Sequence, residues 1–226
     1  MDGSAGLWEA VGVTAALATV TTTLLLLLAT PLAWWLARGR GWAREVAAAL
    51  TSLPLVLPPT VLGFYLLIAL GPDSPLLLPL RPFGVRTLAF TFEGLVVGSV
   101  VYSLPFAVQP LRTAFEAVDR EALEAAAVLG APPLDAFVSV AAPLARRGFL
   151  TAGVLAFAHT VGEFGVVLMI GGAASGSTEV LSVRMWRLVE SLRFGEAHAL
   201  AASLTGFSLA ALLLLAAVDR RFARLR

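Results

Sequence analysis

Long apolar runs, broken by short polar stretches, dominate the chain. Five runs are long enough to cross a hydrocarbon core, which takes about 20 apolar residues as a helix. They cover residues 11–37, 46–71, 88–111, 149–172 and 197–218. The first two carry no charge; Glu93 interrupts the third, His159 and Glu163 the fourth, and His198 stands near the start of the fifth. Segments of this kind must be helices in lipid, because every backbone group needs an internal partner. The pattern predicts an all-α membrane protein of about five transmembrane helices, with residues 1–226 forming one domain. Leu181, Val183, Met185, Leu188, Val189 and Leu192 alternate with Arg184, Arg187, Glu190 and Arg193, which predicts an amphipathic helix at the outer membrane surface.

Composition strengthens this reading. Of the 226 residues, 58% are hydrophobic and 14% charged, against about 25% charged in soluble domains. Mean hydropathy is +0.87. The absence of cysteine excludes disulfides, thiolate metal sites and cysteine nucleophiles. The start, Met1-Asp2-Gly3-Ser4, lacks a basic n-region and the first run is too long for a signal peptide, so that run reads as a retained span. All sixteen basic residues are arginine. Eleven of them (Arg38, Arg40, Arg44, Arg112, Arg120, Arg146, Arg147, Arg220, Arg221, Arg224 and Arg226) fall in the first loop, the 112–148 loop and the tail. Arg81, Arg86, Arg184, Arg187 and Arg193 fall on the other side. The excess places the 112–148 loop and the C-terminus in the cytoplasm and the N-terminus outside.

Proline marks breaks within the spans: Pro31 in the first, Pro54, Pro58 and Pro59 in the second, Pro105 and Pro110 in the third. Each removes a donor and clashes with the preceding turn, so kinks or unwound turns are expected. Loop two, residues 72–86, reads as an ordered proline- and leucine-rich cap on the outer face. The 112–148 loop is the most polar part, above all from 119 to 148. Residues 112–129 read as a helix with Glu116, Asp119, Glu121 and Glu124 on its exposed face; Gly130 stops it, and Pro132-Pro133 open a second element with Leu134, Phe137, Val138 and Ala142 as its apolar stripe. Joining two spans needs only a short loop. A helix–glycine–helix at the membrane face reads as a lever for a partner protein.

Glu124-Ala125-Ala126, three residues, Gly130, nine residues, then Val140-Ala141-Ala142-Pro143 closely resembles the cytoplasmic signature of ABC importer permeases. That family has Glu-Ala-Ala, three residues, Gly, nine residues, then Ile, any residue, Leu-Pro. The spacing matches throughout, with Val140 a conservative departure and Ala142 a larger one. The stretch from Ser52 to Tyr65, SLPLVLPPTVLGFY, and that from Ala158 to Gly165, AHTVGEFG, resemble the oxyanion branch, most of all molybdate/tungstate permeases. The resemblance covers about residues 11–218. Sulfate permeases are similar but usually longer.

The resemblance implies a homodimer of membrane subunits on two ATP-binding-cassette ATPase subunits at the cytoplasmic face, with an extracytoplasmic oxyanion-binding protein outside, in a bacterial or archaeal cytoplasmic membrane. It assigns ATPase coupling to Glu124, Ala125, Ala126, Gly130 and Pro143. Arg120, four residues before Glu124, is expected to pair with it. No Gly-x-x-x-x-Gly-Lys-Ser/Thr run exists, and without lysine none of that type can. The chain is therefore expected to be no enzyme and to hold no cofactor, ATP and Mg residing on the partner. For a passing dianion the hydroxyls and amides near Thr51, Ser52, Thr60, Ser103 and Thr160 are the candidates. His159 and Glu163 stand four apart and are expected to pair; a carboxylate is a poor liner for an anion path, so Glu163 reads as structural, bonded to helix-end amides or His159. An intramembrane hydrolase finds no serine motif near either histidine. A stand-alone secondary transporter would show internal repeats and a midplane charge relay, and neither is present.

Overall fold

A computed structural model describes residues 3–223; Met1 and Asp2, and Arg224 and Arg226 of the tail, lie outside the described residues. All regular structure among them is helical. Helix α1, Gly3–Ala37, is uninterrupted through Pro31. At 35 residues and 1.5 Å per residue it is about 52 Å long, so it tilts or projects from a core of about 30 Å. Helix α4, Phe92–Glu116, starts where Thr91 Oγ1 accepts the Gly94 N–H at 3.1 Å, and it also runs through both its prolines.

The second predicted span is not one helix. Helix α2, Trp42–Ser52, passes through a 3-10 turn, Leu53–Leu55, and breaks before α3, Pro59–Leu70, which leaves at 108°. Pro54, Pro58 and Pro59 supply the break: Pro58 is extended at ψ 132° and Pro59 takes the first helical position, where its missing N–H costs nothing. The fourth span is also two pieces, α8, Arg146–Gly162, and α9, Gly165–Gly171, because Glu163 is extended at ψ 132°. Sequence pattern missed this second break, since no proline marks it. The 112–129 helix is likewise interrupted: α4 ends at Glu116 and α5, Arg120–Val128, begins afresh. After Gly130 come α6, Pro133–Ala136, a π-helical stretch Phe137–Ala141 and α7, Ala142–Leu144, meeting α8 at 71°. The amphipathic segment forms α10, Leu181–Glu190, and α11, Phe194–Ala223, closes the described chain.

Helix α4 is the centre, packed between α1 and α8. Leu25, Ala29 and Ala33 of α1, Ala107, Val108, Leu111 and Phe115 of α4, and Ala152 and Ala156 of α8 form one buried core. The alanines let backbones approach closely, as membrane helix interfaces require. A second core joins Leu17, Leu95, Val96, Val166, Val167 and Ile170, with Val180 and Val183 sealing it. Helix α11 leaves Leu209, Leu212, Leu213 and Leu214 exposed, an apolar surface.

Contacts sort the connections onto two ends. At one, Ala89 N–H donates to Leu70 O at 3.1 Å, Phe90 N–H to Ile170 O at 2.7 Å, and Leu181 N–H to Thr14 Oγ1 at 2.9 Å. This end carries the cap, a 3-10 segment Pro75–Phe83 closed by Gly84, and α10, where Glu179, 2% exposed, takes Arg187 at 2.7 Å and Arg184 at 3.3 Å. The other end carries α5–α7 and is called the Gly130 end below. The two broken spans meet between these ends. A Cβ on Gly165 would lie 2.7 Å from Pro59 Cβ, and one on Gly63 2.8 Å from Met169 Cβ. Gly165→Val is therefore expected to destabilise the fold by about 1–3 kcal/mol, read as a lowered Tm in detergent, with Gly12→Val, which meets open space, as the neutral control.

Candidate functional site

Two regions gather the candidate residues. At the Gly130 end, α5 terminates in a left-handed glycine: Gly130 has φ +86°. Its N–H donates to Ala127 O at 3.0 Å and the Ala131 N–H to Ala126 O at 3.0 Å, a Schellman closure that satisfies the last carbonyls of α5. Glu124 and Ala125 are exposed and Ala126 is half-exposed. Beside them Val128, Leu129 and Leu134 are 88%, 87% and 74% exposed, and Val138 and Leu144 of the same hairpin are exposed as well. The expected Arg120–Glu124 pair does not form; Arg112 pairs with Glu116 at 2.7 Å on the last turn of α4. Glu124 thus keeps its carboxylate outward.

The hairpin is tied to the spans by aromatic rings. Trp34 of α1 meets Phe115 of α4 edge-on at 5.2 Å and Phe137 of the hairpin at 5.1 Å; Phe115 also meets Phe137 and Phe149, each at 5.8 Å. Pro143 lies in α7, just before the turn into α8. Arg38, at the end of α1, lies over the Trp34 ring at 4.2 Å, with its Nε and Nη2 buried and without acceptors. Burial, and then the Arg120 charge, push its guanidinium below the usual arginine range. Sequence reading missed Trp34, Phe115 and Arg38, because aromatic contacts between distant elements leave no periodic signal.

The second region lies at mid-span. Ser103 and Thr160, both buried, come together with His159: Ser103 Oγ is 2.8 Å from His159 Nδ1 and 3.2 Å from Thr160 Oγ1. The His159 ring stacks on Phe106 at 3.9 Å and tilts against Tyr102 at 4.8 Å. The expected pairing of His159 with Glu163 is absent. Pairing at i, i+4 needs a helix through both residues, and α8 ends at Gly162. Glu163 is instead 3% exposed, and neither its carboxylate oxygens nor the buried Ser99 hydroxyl has a hydrogen-bond partner of good geometry. Its backbone carbonyl accepts from Ser182 Oγ. Thr51 and Ser52 stand at the end of α2, where Thr51 Oγ1 donates to Ala48 O at 2.8 Å; Thr60 is exposed at the start of α3. The structure brings Ser103 and Thr160 into one cluster and leaves Thr51, Ser52 and Thr60 beside the proline break. No group of three or more His, Asp or Glu residues able to hold a metal occurs among the described residues.

Residues 29–224 match the model of a family described as the binding-protein-dependent transport system inner membrane component. The chain is 52% identical over 213 residues to the molybdenum transport system permease protein ModB of Azotobacter vinelandii, covering 94% of each chain. It is 35% identical over 201 residues to a probable molybdenum ABC transporter permease protein of Haloferax volcanii, covering 89% of this chain and 71% of that one. Among solved structures, a bacterial ABC transporter that imports the acidic polysaccharide alginate aligns at TM-score 0.75 and 16% identity, over 96% of this chain and 79% of that one. An amino acid ABC transporter aligns at TM-score 0.59 and 22% identity, over 92% and 90%. These structural likenesses show a shared fold. The helical breaks, the exposed hairpin and the matched sequence agree, and the chain belongs to the family of binding-protein-dependent transport system inner membrane components.

Proposed function

We propose that this chain is the membrane-spanning permease subunit of an ATP-driven importer that carries molybdate into the cell. One observation carries the reading: the 52% identity to a molybdenum permease extends over 94% of both chains, so it includes the spans and the hairpin alike. Tungstate, nearly the same in size and charge, is expected to use the same path. Two copies form the pathway between them, since five spans are few to enclose one and a two-fold pair is the common closed assembly. The arginine excess puts the Gly130 end in the cytoplasm, so the N-terminus is outside and the C-terminus inside. Two ATPase subunits dock on that end, and an external binding protein delivers the oxyanion at the opposite face.

The hairpin geometry supports the docking assignment. Exposed Val128, Leu129 and Leu134 supply apolar area to a partner cleft, and small Ala125 and Ala126 admit close approach. Exposed Glu124, in no ion pair among the described residues, offers a charge to the partner. Closure of the ATPases moves the hairpin, and the Trp34–Phe115–Phe137–Phe149 ring cluster passes that motion to α1, α4 and α8. The proline break of the second span, held against Gly165 of the fourth, is where such motion can open or shut a path without stranding backbone groups in lipid.

The test is uptake of labelled molybdate by proteoliposomes holding the chain, the ATPase and the binding protein. Uptake is expected only with ATP and all three components, and excess sulfate is expected to compete weakly. Uptake by the chain alone under an ion gradient would sink the reading. Gly130→Pro, which imposes φ near −65° where +86° is needed, and Glu124→Lys are each expected to cut ATP-driven uptake at least about tenfold, the loss of roughly 1.4 kcal/mol of coupling. The membrane fold survives in both. Phe137→Ala is expected to leave ATPase binding intact while lowering molybdate moved per ATP hydrolysed; an unchanged ratio would remove the ring cluster from the account.

A further inference from the structure

His159 is the mid-span polar group that the proposed function does not yet use. Three hydrogen-bond contacts run through its neighbours. Thr160 Oγ1 donates to Ala156 O at 2.9 Å, Ser103 Oγ lies 3.2 Å from Thr160 Oγ1, and Ser103 Oγ lies 2.8 Å from His159 Nδ1. A hydroxyl has one hydrogen. That of Thr160 goes to Ala156, because a carbonyl cannot donate. Ser103 therefore has one hydrogen for two neighbours. Turned to Thr160, it makes Nδ1–H the donor to Ser103 and leaves Nε2 bare. Turned to His159, it makes Nδ1 an acceptor and places the ring proton on Nε2. The two arrangements differ by one hydrogen bond, the longer of the two that Ser103 makes.

Nε2 itself makes no hydrogen bond within the described residues and is not among the buried unpartnered atoms. Phe106 and Tyr102 hold the ring faces, so the half-exposed imidazole presents its Nε2 edge to open space. The same α4 face continues to Gln109, two turns beyond Tyr102 and exposed. Polar side chains at membrane depth face a water-filled path or the protein interior, not lipid. Glu163, just past the end of α8, is 3% exposed and lies near Ser99 and Tyr102.

We propose that His159 contacts the passing oxyanion directly, donating a hydrogen bond from Nε2–H as a neutral imidazole, with Ser103 as the positioning residue that sets the tautomer. This rests on the oxyanion reading of the chain. An unprotonated tetrahedral oxyanion offers only acceptor oxygens, so bare Nε2 repels it and its arrival favours the donor arrangement. The charge balances: water in the path takes the Nδ1 proton and returns one to Nε2, with no net uptake. A neutral donor holds a dianion weakly, which passage requires.

Two variants in the assembled transporter test the contact. His159→Phe keeps the ring packing and removes the donor; His159→Gln restores an N–H. Molybdate uptake kcat/KM is expected to fall about tenfold in His159→Phe, the scale of one lost hydrogen bond, and to recover to within about threefold in His159→Gln. His159→Phe with wild-type kcat/KM overturns the proposal, as does a His159→Gln variant no better than His159→Phe. Should His159→Phe not assemble, 15N spectra decide: with His198→Gln, His159 is the one remaining histidine of two. Molybdate is expected to raise the Nε2–H tautomer fraction, and Ser103→Ala to change the fraction before molybdate is added. A spectrum unchanged at saturating molybdate overturns the contact. Wild-type transporter that imports no molybdate sinks the oxyanion reading, and its failure is visible without any His159 variant.

Discussion

Backbone that leaves the helix inside a membrane must be buried against protein, and the rest of this structure follows from how that is done. Pro58 and Pro59 break the second span, and Glu163 breaks the fourth. Either break alone would expose amides and carbonyls at lipid depth, each costing several kcal/mol. Placed side by side they shield one another. Gly165 is the residue that permits it, since a Cβ there would run into Pro59. Continuous α1 and α4 then form the fixed frame against which the broken pieces are held.

That division explains how one small subunit can be both stable and mobile. The alanine-rich core among α1, α4 and α8 is closely packed. The α2–α3 pair and the short α9 beyond the Glu163 break lie beside it, and the two joints can turn without losing many helical hydrogen bonds. The ring cluster at the Gly130 end joins the hairpin to the frame rather than to the joints. In the proposed mechanism a push on the hairpin therefore rocks α1, α4 and α8 as a unit, and the joints accommodate the movement.

Much of this was legible in the sequence, for identifiable reasons. The all-helical class followed from hydropathy, because lipid leaves the backbone so few choices; three of the helices are long and apolar enough to span alone, and five spans result if each bent pair counts as one. The Gly130 turn followed from glycine's access to positive φ, and the structure has it at +86°. The proline break in the second span was visible, but its 108° angle was not, since angle depends on what the freed pieces pack against. The Glu163 break was hidden, because Gly162-Glu163-Phe164-Gly165 is compatible with a helix locally and is opened by tertiary contacts such as Ser182 to the Glu163 carbonyl. That hidden break also undid the His159–Glu163 pairing, and His159 found Ser103 on another helix. Partners 56 residues apart carry no signature in local spacing.

In the proposed mechanism everything turns on the Gly130 hairpin as the docking surface for an ATPase. The chain has no cysteine, so a single cysteine at Val128, 88% exposed in the chain alone, reports on it cleanly. The measurement is the rate at which a water-soluble thiol reagent labels Val128→Cys in the isolated permease and in the permease–ATPase complex. Docking there makes labelling at least about tenfold slower in the complex, as for a site closed off from solvent by more than about 1.4 kcal/mol. Equal rates in both would show that the hairpin stays open to water and that the ATPase docks elsewhere.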